Sequence, residues 1–266
     1  MQLRLQRRLG VIAAGSLVLT GFGIVGASAA EPKTSSVTTG AGAWYTQAYD
    51  NFPTGGYLTP RQADVTGPNR APFGTSSHRL TIGESSAQTE LYRTNAYDGT
   101  LVADLTRLEY SEYAQSSVGG SARQPAYLRL SVDTDNNGTT DDSLFFYPAN
   151  NGTVTNGTWQ TWDVAGGAIN VNGDGGATTT LAQYAADHVG AKLVNDPYDA
   201  IHDAGSLALI AGGALAGDTD PQVNGEYFVD RVIVGKAGQD TLYDLGGGSE
   251  TNGGTDNLTV SPANDQ

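Results

Sequence analysis

The densest group of metal-capable side chains lies in residues 133–142, an acidic stretch in the middle of the chain. Its oxygen donors fall at alternate positions: Asp133, Asp135, Asn137, the backbone carbonyl of Thr139, and Asp141. Gly138 permits a sharp reversal between them. Calcium binds six to eight oxygens, and alternate residues of a short loop can direct them to one point. The sequence therefore predicts a calcium-binding loop.

The first nine positions of this loop match the EF-hand pattern, and the loop resembles the calcium repeats of thrombospondin type 3 and dockerin-like modules. Those loops place an acidic residue at the twelfth position, where this chain has Leu144. Asp142 or a distant residue must then complete the shell. The alternative is a polar hairpin turn, because Asp, Asn and Gly favour turns by themselves.

The segments on both sides of the loop are predicted strands. In residues 127–132, Leu128, Leu130 and Val132 alternate with polar or amphipathic side chains, which is typical of a strand with two different faces. Residues 143–147 are continuously apolar after Ser143, which suits a strand buried on both faces. The loop is thus expected to connect two paired strands.

Two tryptophans are candidates for polysaccharide binding, because aromatic rings stack on the apolar faces of sugars. Trp159 and Trp162 are three residues apart, so a regular strand directs them to opposite faces. One is expected in the core and the other at the surface. The alternative is that both pack internally.

The chain begins with a predicted signal peptide, residues 1–29. Arg4, Arg7 and Arg8 precede an apolar run, and an Ala-x-Ala cleavage site follows at residues 27–29. A retained membrane anchor is the alternative. The expected location is extracellular, with no membrane contact after cleavage.

The composition excludes some partners. The whole chain has a formal net charge of −14, and without its three leader arginines this becomes −17. Nucleic-acid binding requires clustered Lys and Arg, so nucleic acid is not expected as a partner. The chain has no cysteine, so an extracellular form must depend on burial, and on any bound metal, rather than on disulfides.

Short alternating segments separated by Asn-Gly and Asp-Gly turns continue along the chain, with a single helical pattern near residues 180–188. This order predicts an all-β fold: a two-sheet antiparallel β-sandwich with one short helix. The expected organisation is a flexible linker over residues 30–43, the sandwich over 44–245, and a disordered tail over 246–266.

The segments YLRLSVDTDNNGTTDDSLFFYP, GTWQTWDV and YFVDRVIVG occur in an order that resembles jelly-roll carbohydrate-binding and concanavalin-like lectin domains of secreted bacterial proteins. The resemblance implies a jelly roll and a glycan ligand. It also implies a structural calcium ion held by an Asp in the last long strand. Asp230 matches that position, and Asp50 is a possible partner. A strand-edge interaction of Asp230 with Arg231 or with the backbone is the alternative.

Catalytic motifs are absent from the sequence. The three histidines, His78, His188 and His202, lack zinc-ligand spacing, and there is no G-x-S-x-G sequence. Glu109 and Glu112 are three apart, so a strand separates them onto different faces. No catalytic residue is predicted.

Three functions remain open from the sequence. The leading hypothesis is a secreted, non-catalytic, calcium-stabilised β-sandwich that binds glycan or cell-wall polysaccharide. The second is a structural or adhesive surface protein that binds protein. The third is a polysaccharide hydrolase or lyase whose site lacks a known motif.

Overall fold

The computed structural model describes residues 44–50, 57–83, 88–115, 125–173, 176–195, 205–212 and 225–246, and residues 34–38 by their backbone. The predicted signal peptide, most of the predicted linker and residues 247–266 of the predicted tail lie outside these ranges.

The described residues form sixteen β-strands. In chain order they are β1 Thr34–Thr38, β2 Tyr45–Asp50, β3 Tyr57–Leu58, β4 Ala63–Thr66, β5 Ser76–Thr81, β6 Gln88–Thr94, β7 Leu105–Gln115, β8 Tyr127–Asp133, β9 Asp142–Phe146, β10 Trp159–Asp163, β11 Ile169–Val171, β12 Thr178–Thr179, β13 Lys192–Leu193, β14 Leu207–Gly212, β15 Glu226–Lys236 and β16 Gln239–Asp244. Helix α1 is Pro148–Asn151, helix α2 is Leu181–Asp187, and Val102–Asp104 form a 3₁₀ turn.

Sheet A is built around β15, its central strand. Along one edge β15 pairs with β7, which in turn pairs with β10. Along the other edge, residues 226–229 of β15 pair with β5 and residues 232–236 pair with β16. Strand β4 extends the sheet beyond β5, and β1 extends it beyond β16 in the one parallel pairing of the described strands.

Sheet B has the order β12-β11-β9-β8-β14-β6-β2-β3, and β13 also pairs with β8. All of its described pairings are antiparallel. Strands β8 and β9 form the hairpin that carries the acidic loop.

The main core lies between the two sheets. Because side chains alternate across a strand, every second residue of each long strand enters it. Sheet A supplies Leu108 and Val229, and sheet B supplies Leu130, Phe146 and Leu209, all at most 1% exposed.

The predicted fold class is confirmed: the described chain is mostly antiparallel β-structure in two sheets. Helix α2 lies where the sequence predicts it, and Thr180 accepts a hydrogen bond from the Gln183 amide as its N-cap. The single-turn helix α1, which begins at Pro148, is not predicted from the sequence. No helix among the described residues is long and apolar enough to cross a membrane.

One difference concerns the predicted linker, since residues 34–38 form strand β1 within it. This strand has no alternating apolar pattern of its own, and its backbone pairs with β16 along the whole of its length. Pairing with a distant strand, rather than local propensity, defines it.

Candidate functional site

The acidic loop closes the β8–β9 hairpin. Asp133 is the last residue of β8, and the Val132–Asp142 pair is the final rung of the ladder below the loop. The Asp141 amide also donates to the Val132 carbonyl at 2.9 Å. The two strands therefore hold the loop ends together, as the sequence predicts.

Three of the predicted metal ligands come together in this loop. One carboxylate oxygen from each of Asp133, Asp135 and Asp141 lies within 4.8 Å of the others. Asp133 is buried, whereas Asp135 and Asp141 are exposed. An all-oxygen set of three carboxylates suits a hard cation such as calcium, so the residues present fit the ion that the sequence predicts.

Hydrogen bonds within the loop orient these carboxylates. Asp133 accepts from the amides of Asn136 and Gly138 at 2.6 and 2.8 Å. Asp141 accepts from the hydroxyl and the amide of Thr134, and these bonds lower the pKa of Asp141. Asp141 is thus an ionised carboxylate at neutral pH.

The other predicted ligands of the loop differ in position. Asn137 accepts from the Thr139 amide through its side-chain oxygen at 2.8 Å, which holds both residues at the tip of the loop. Asp142 points away: its two oxygens accept from Asn172 Nδ2 and from the Tyr184 hydroxyl, each at 2.7 Å. Asp142 therefore connects the hairpin to the residue that follows β11 and to α2, and it lies outside the three-carboxylate group.

Asp230 and Asp50 belong to different sheets. Asp50 ends β2 in sheet B, whereas Asp230 lies in β15 of sheet A. Asp230 is fully buried, and its oxygens accept from the amides of Phe73 and Leu245 at 2.9 and 3.1 Å. Burial raises its pKa to about 7. These contacts match the alternative interpretation, a carboxylate bound to backbone.

The two candidate tryptophans lie on opposite faces of β10, as their spacing predicts. Trp162 is 8% exposed and packs in the main core against Phe146. Trp159 is half-buried on the outer face of sheet A. Its indole Nε1 donates to the Pro68 carbonyl at 2.9 Å, which fixes the ring.

Trp159 belongs to a group of three aromatic rings that we call the aromatic step: Trp159, Tyr113 and Phe228. These residues are direct cross-strand neighbours in β10, β7 and β15. Tyr113 lies 5.6 Å from Trp159 with the planes inclined at 56°, and 5.9 Å from Phe228 at 85°. The next residue in the row is Arg79, which pairs with Glu226 at 3.4 Å; both side chains are more than a third exposed.

A second aromatic group lies on the outer face of sheet B. It is a buried cluster consisting of Tyr49, Leu91, Tyr127, Phe145, Tyr147, Ala208 and Ile210. Two arginines adjoin it, with Arg93 above the Tyr45 ring and Arg129 above the Phe145 ring. Because its members are at most 7% exposed, this group is a second core rather than an open surface.

His78 is a buried residue of a polar network that reaches the surface at Asp64. It contacts Asp64 through Nδ1 at 2.7 Å and Gln62 through Nε2 at 3.0 Å. Gln62 in turn donates to Glu90 at 2.7 Å, and the His78 ring stacks on Tyr92. The network connects β4 and β5 of sheet A to β6 of sheet B, which gives it a structural role at the junction of the sheets.

Sequence reasoning missed two members of the aromatic step, Tyr113 and Phe228. The sequence carries one signal for each of them: both residues lie in long strands, at positions that alternate with core residues. Their contact with Trp159 depends on β7 lying between β10 and β15, which no local pattern specifies.

No protein-family model matches the sequence, and no curated protein matches it. The solved structures in which the chain follows a similar path include two carbohydrate-binding modules. The family 11 carbohydrate-binding module of the cellulosomal cellulase Lic26A-Cel5E of Clostridium thermocellum has a TM-score of 0.39 and 9% identity, over 74% of this chain and 90% of that chain. The Clostridium thermocellum family 11 module in complex with a β-1,3-1,4-mixed-linked tetrasaccharide has a TM-score of 0.39 and 10% identity, over 74% and 91%. At this similarity neither structure assigns a role to any residue of this chain.

Proposed function

We propose that this chain is a non-catalytic, calcium-stabilised β-sandwich that binds polysaccharide outside the cell. The observation that carries the proposal is the aromatic step on the outer face of sheet A. Sugar rings have apolar faces that pack on aromatic rings, and their hydroxyls need polar partners at the rim. Trp159 and Tyr113 supply the rings, and the half-exposed Arg79 and Glu226 supply the polar groups.

The shape of the step favours a single polysaccharide chain as the ligand. The row from β10 to β5 crosses four strands, a distance of about 14 Å at the usual strand spacing. The rings of its two partly exposed members, Trp159 and Tyr113, are inclined at 56°, so they form no common plane on which a flat crystalline surface could lie. A soluble, twisted chain can place successive sugars against inclined rings.

The expected extracellular location is supported by the charged and apolar leader sequence of residues 1–29. Calcium binding is supported by the convergence of Asp133, Asp135 and Asp141. Bound calcium would neutralise part of the acidic loop and stabilise the β8–β9 hairpin. It has no direct part in contacting the polysaccharide.

The test is binding of the Trp159→Ala variant to polysaccharides. Affinity electrophoresis in gels containing soluble polysaccharides should show retardation of the wild-type chain, and Trp159→Ala should weaken the affinity about tenfold, which corresponds to ~1.4 kcal/mol. Tyr45→Ala is the matched control, because Tyr45 is an exposed aromatic residue of the other sheet, at 46%. Its removal should leave binding unchanged.

Pull-down with insoluble crystalline cellulose and chitin tests the class of polysaccharide separately from polysaccharide binding itself. Binding to soluble polysaccharides, without binding to the crystalline solids, supports both the proposed function and the single-chain ligand. Trp159-dependent binding to the crystalline solids contradicts the single-chain ligand but keeps polysaccharide binding. Absence of binding to every soluble and insoluble polysaccharide contradicts the function.

A further inference from the structure

Glu112 is a carboxyl group inside the main core. It lies in β7 between Tyr110 and Ala114, two residues that face the other sheet. Its exposure is 0%. A carboxyl group in such a position is stable when it is neutral or when its charge is compensated.

The surroundings of Glu112 offer little compensation for a negative charge. Oε1 lies 3.4 Å from Trp162 Nε1, and Oε2 has no hydrogen-bond partner among the described residues. Across the sheet Glu112 is opposite Gln160 of β10 and Val229 of β15. Burial raises the pKa of Glu112 to about 8, and the Trp162 N–H opposes this only in part.

The titratable neighbours do not supply a positive charge either. Tyr110, on the same strand, donates its hydroxyl to the Ala126 carbonyl at 2.7 Å. Burial raises the pKa of Tyr110 well above its ordinary value, and the nearby Glu112 raises it further. Tyr227 of β15 is opposite Ala114, two register pairs from Glu112 on the same face of the sheet, and it is a phenol without positive charge. Glu109 of β7 lies on the opposite face, where it pairs with Arg107 and Arg231.

Strand β10 is the element that covers Glu112. Within the described chain it pairs with β7 alone, so it is an edge strand of sheet A. On its inward face Trp162 contacts the carboxyl group, and on its outward face Trp159 forms the end of the aromatic step. Displacement of this strand would affect both faces together.

We propose that Glu112 is a proton switch that controls the docking of β10 on sheet A. The neutral carboxyl group lets Trp162 pack over it, whereas the carboxylate draws water to the site and releases the strand. Loss of polysaccharide binding at alkaline pH follows only if the proposed function is correct, because Trp159 leaves the aromatic step when β10 is released.

The sign of the pH dependence follows from the two protonation states. The docked pKa of about 8 lies above the ordinary value of 4.5, so docking binds a proton. Protonation of Glu112 therefore stabilises the docked strand fully below about pH 4.5. This stabilisation weakens as the pH rises and is lost once the pH passes about 8. Between these values each pH unit shifts the docked-to-released ratio by about tenfold.

The test is the hydrogen-exchange protection of the β10 amides, residues 159–163, between pH 5 and pH 9, corrected for intrinsic exchange rates. Protection in the wild-type chain should fall as the pH rises, and Glu112→Gln should remove this fall because the amide does not ionise. Glu109→Gln, a matched change on the outer face of the same strand, should retain it. Protection that stays constant in the wild type, or that falls equally in Glu112→Gln, overturns the proposal.

A second measurement uses the wild-type chain alone and applies even if Glu112→Gln does not fold. Because ionisation is coupled to release of β10, the ¹³C chemical shift of the Glu112 carboxyl carbon should titrate with a midpoint between the ordinary 4.5 and the docked value of about 8. A midpoint near the ordinary 4.5 overturns the proposal. Neither measurement uses polysaccharide, so failure of the switch and failure of the proposed function are distinguishable.

Discussion

At the scale of single residues, the buried Asp230 side chain connects β15 to two segments that lie outside the strands. Asp230 lies at the bulge in β15, between the residues that pair with β5 and those that pair with β16. Backbone donors left without a strand partner at such a break need another acceptor. Asp230 provides it for Phe73 and Leu245, which lie on two different segments.

Asp230→Ala should destabilise the fold by about 2–4 kcal/mol, because each buried donor left unsatisfied costs ~1–3 kcal/mol. Chemical denaturation at pH 5–6 is the measurement. Asp230→Asn keeps one acceptor oxygen at the same place and should lose less. Equal stability of Asp230→Ala and the wild-type chain would show that water satisfies both amides.

At the scale of elements, the acidic side chains of the β8–β9 hairpin fall into two groups with different contacts. Asp133, Asp135 and Asp141 converge on one point within the loop, whereas Asp142 accepts hydrogen bonds from Asn172, which follows β11, and from Tyr184 of α2. The convergent group is the part that a cation can stabilise. The Asp142 contacts position the hairpin whether or not a cation is bound.

Calcium should raise the melting temperature of the wild-type chain, and the double variant Asp133→Ala, Asp135→Ala should lose most of this rise. A ligand that binds only the native state stabilises it by ~2.7 kcal/mol at a hundredfold excess over Kd. Without an acidic residue at the twelfth position, the expected Kd is of the extracellular type, roughly 10⁻⁴–10⁻³ M.

Thermal unfolding with increasing calcium measures this effect. Magnesium is the control cation, since it requires a smaller octahedral shell and retains its waters, and it should substitute poorly. Asp142→Asn is the control variant: it keeps the size of the side chain and should retain the calcium shift. An unchanged calcium shift in the double variant would make the loop an acidic turn only.

At the scale of the whole molecule, two sheets share the main core, and the chain has no disulfide to hold them together. Burial of apolar side chains between the sheets is therefore the principal stabilising contribution. The network of Gln62 with the buried His78 and Glu90 adds a polar connection across the same interface.

Leu130→Ala should lower the free energy of unfolding by about 2–5 kcal/mol, because Leu130 is 1% exposed and its removal leaves a cavity between the sheets. Leu58→Ala is the matched control, since Leu58 is 37% exposed, and its effect should stay within about 0.5 kcal/mol. Urea denaturation measures both. Similar losses in the two variants would contradict a core shared between the sheets.

The sequence by itself determined much of the secondary structure, because strand periodicity is a local property. The alternation in residues 127–132 and the apolar run after Ser143 correctly placed β8, β9 and the loop between them. The three-residue spacing of Trp159 and Trp162 likewise separated a core ring from an outward ring. Thr180 and the apolar face behind it located α2.

Only the tertiary structure decided which strands are neighbours, and the candidate sites depend on that order. Tyr113, Trp159 and Phe228 form one group because β7 lies between β10 and β15. The same order buries Glu112 beneath Trp162, and packing of α2 and β11 beside the hairpin directs Asp142 away from the loop. Strand order and sheet packing are set by contacts between residues far apart in the chain, which local periodicity does not encode.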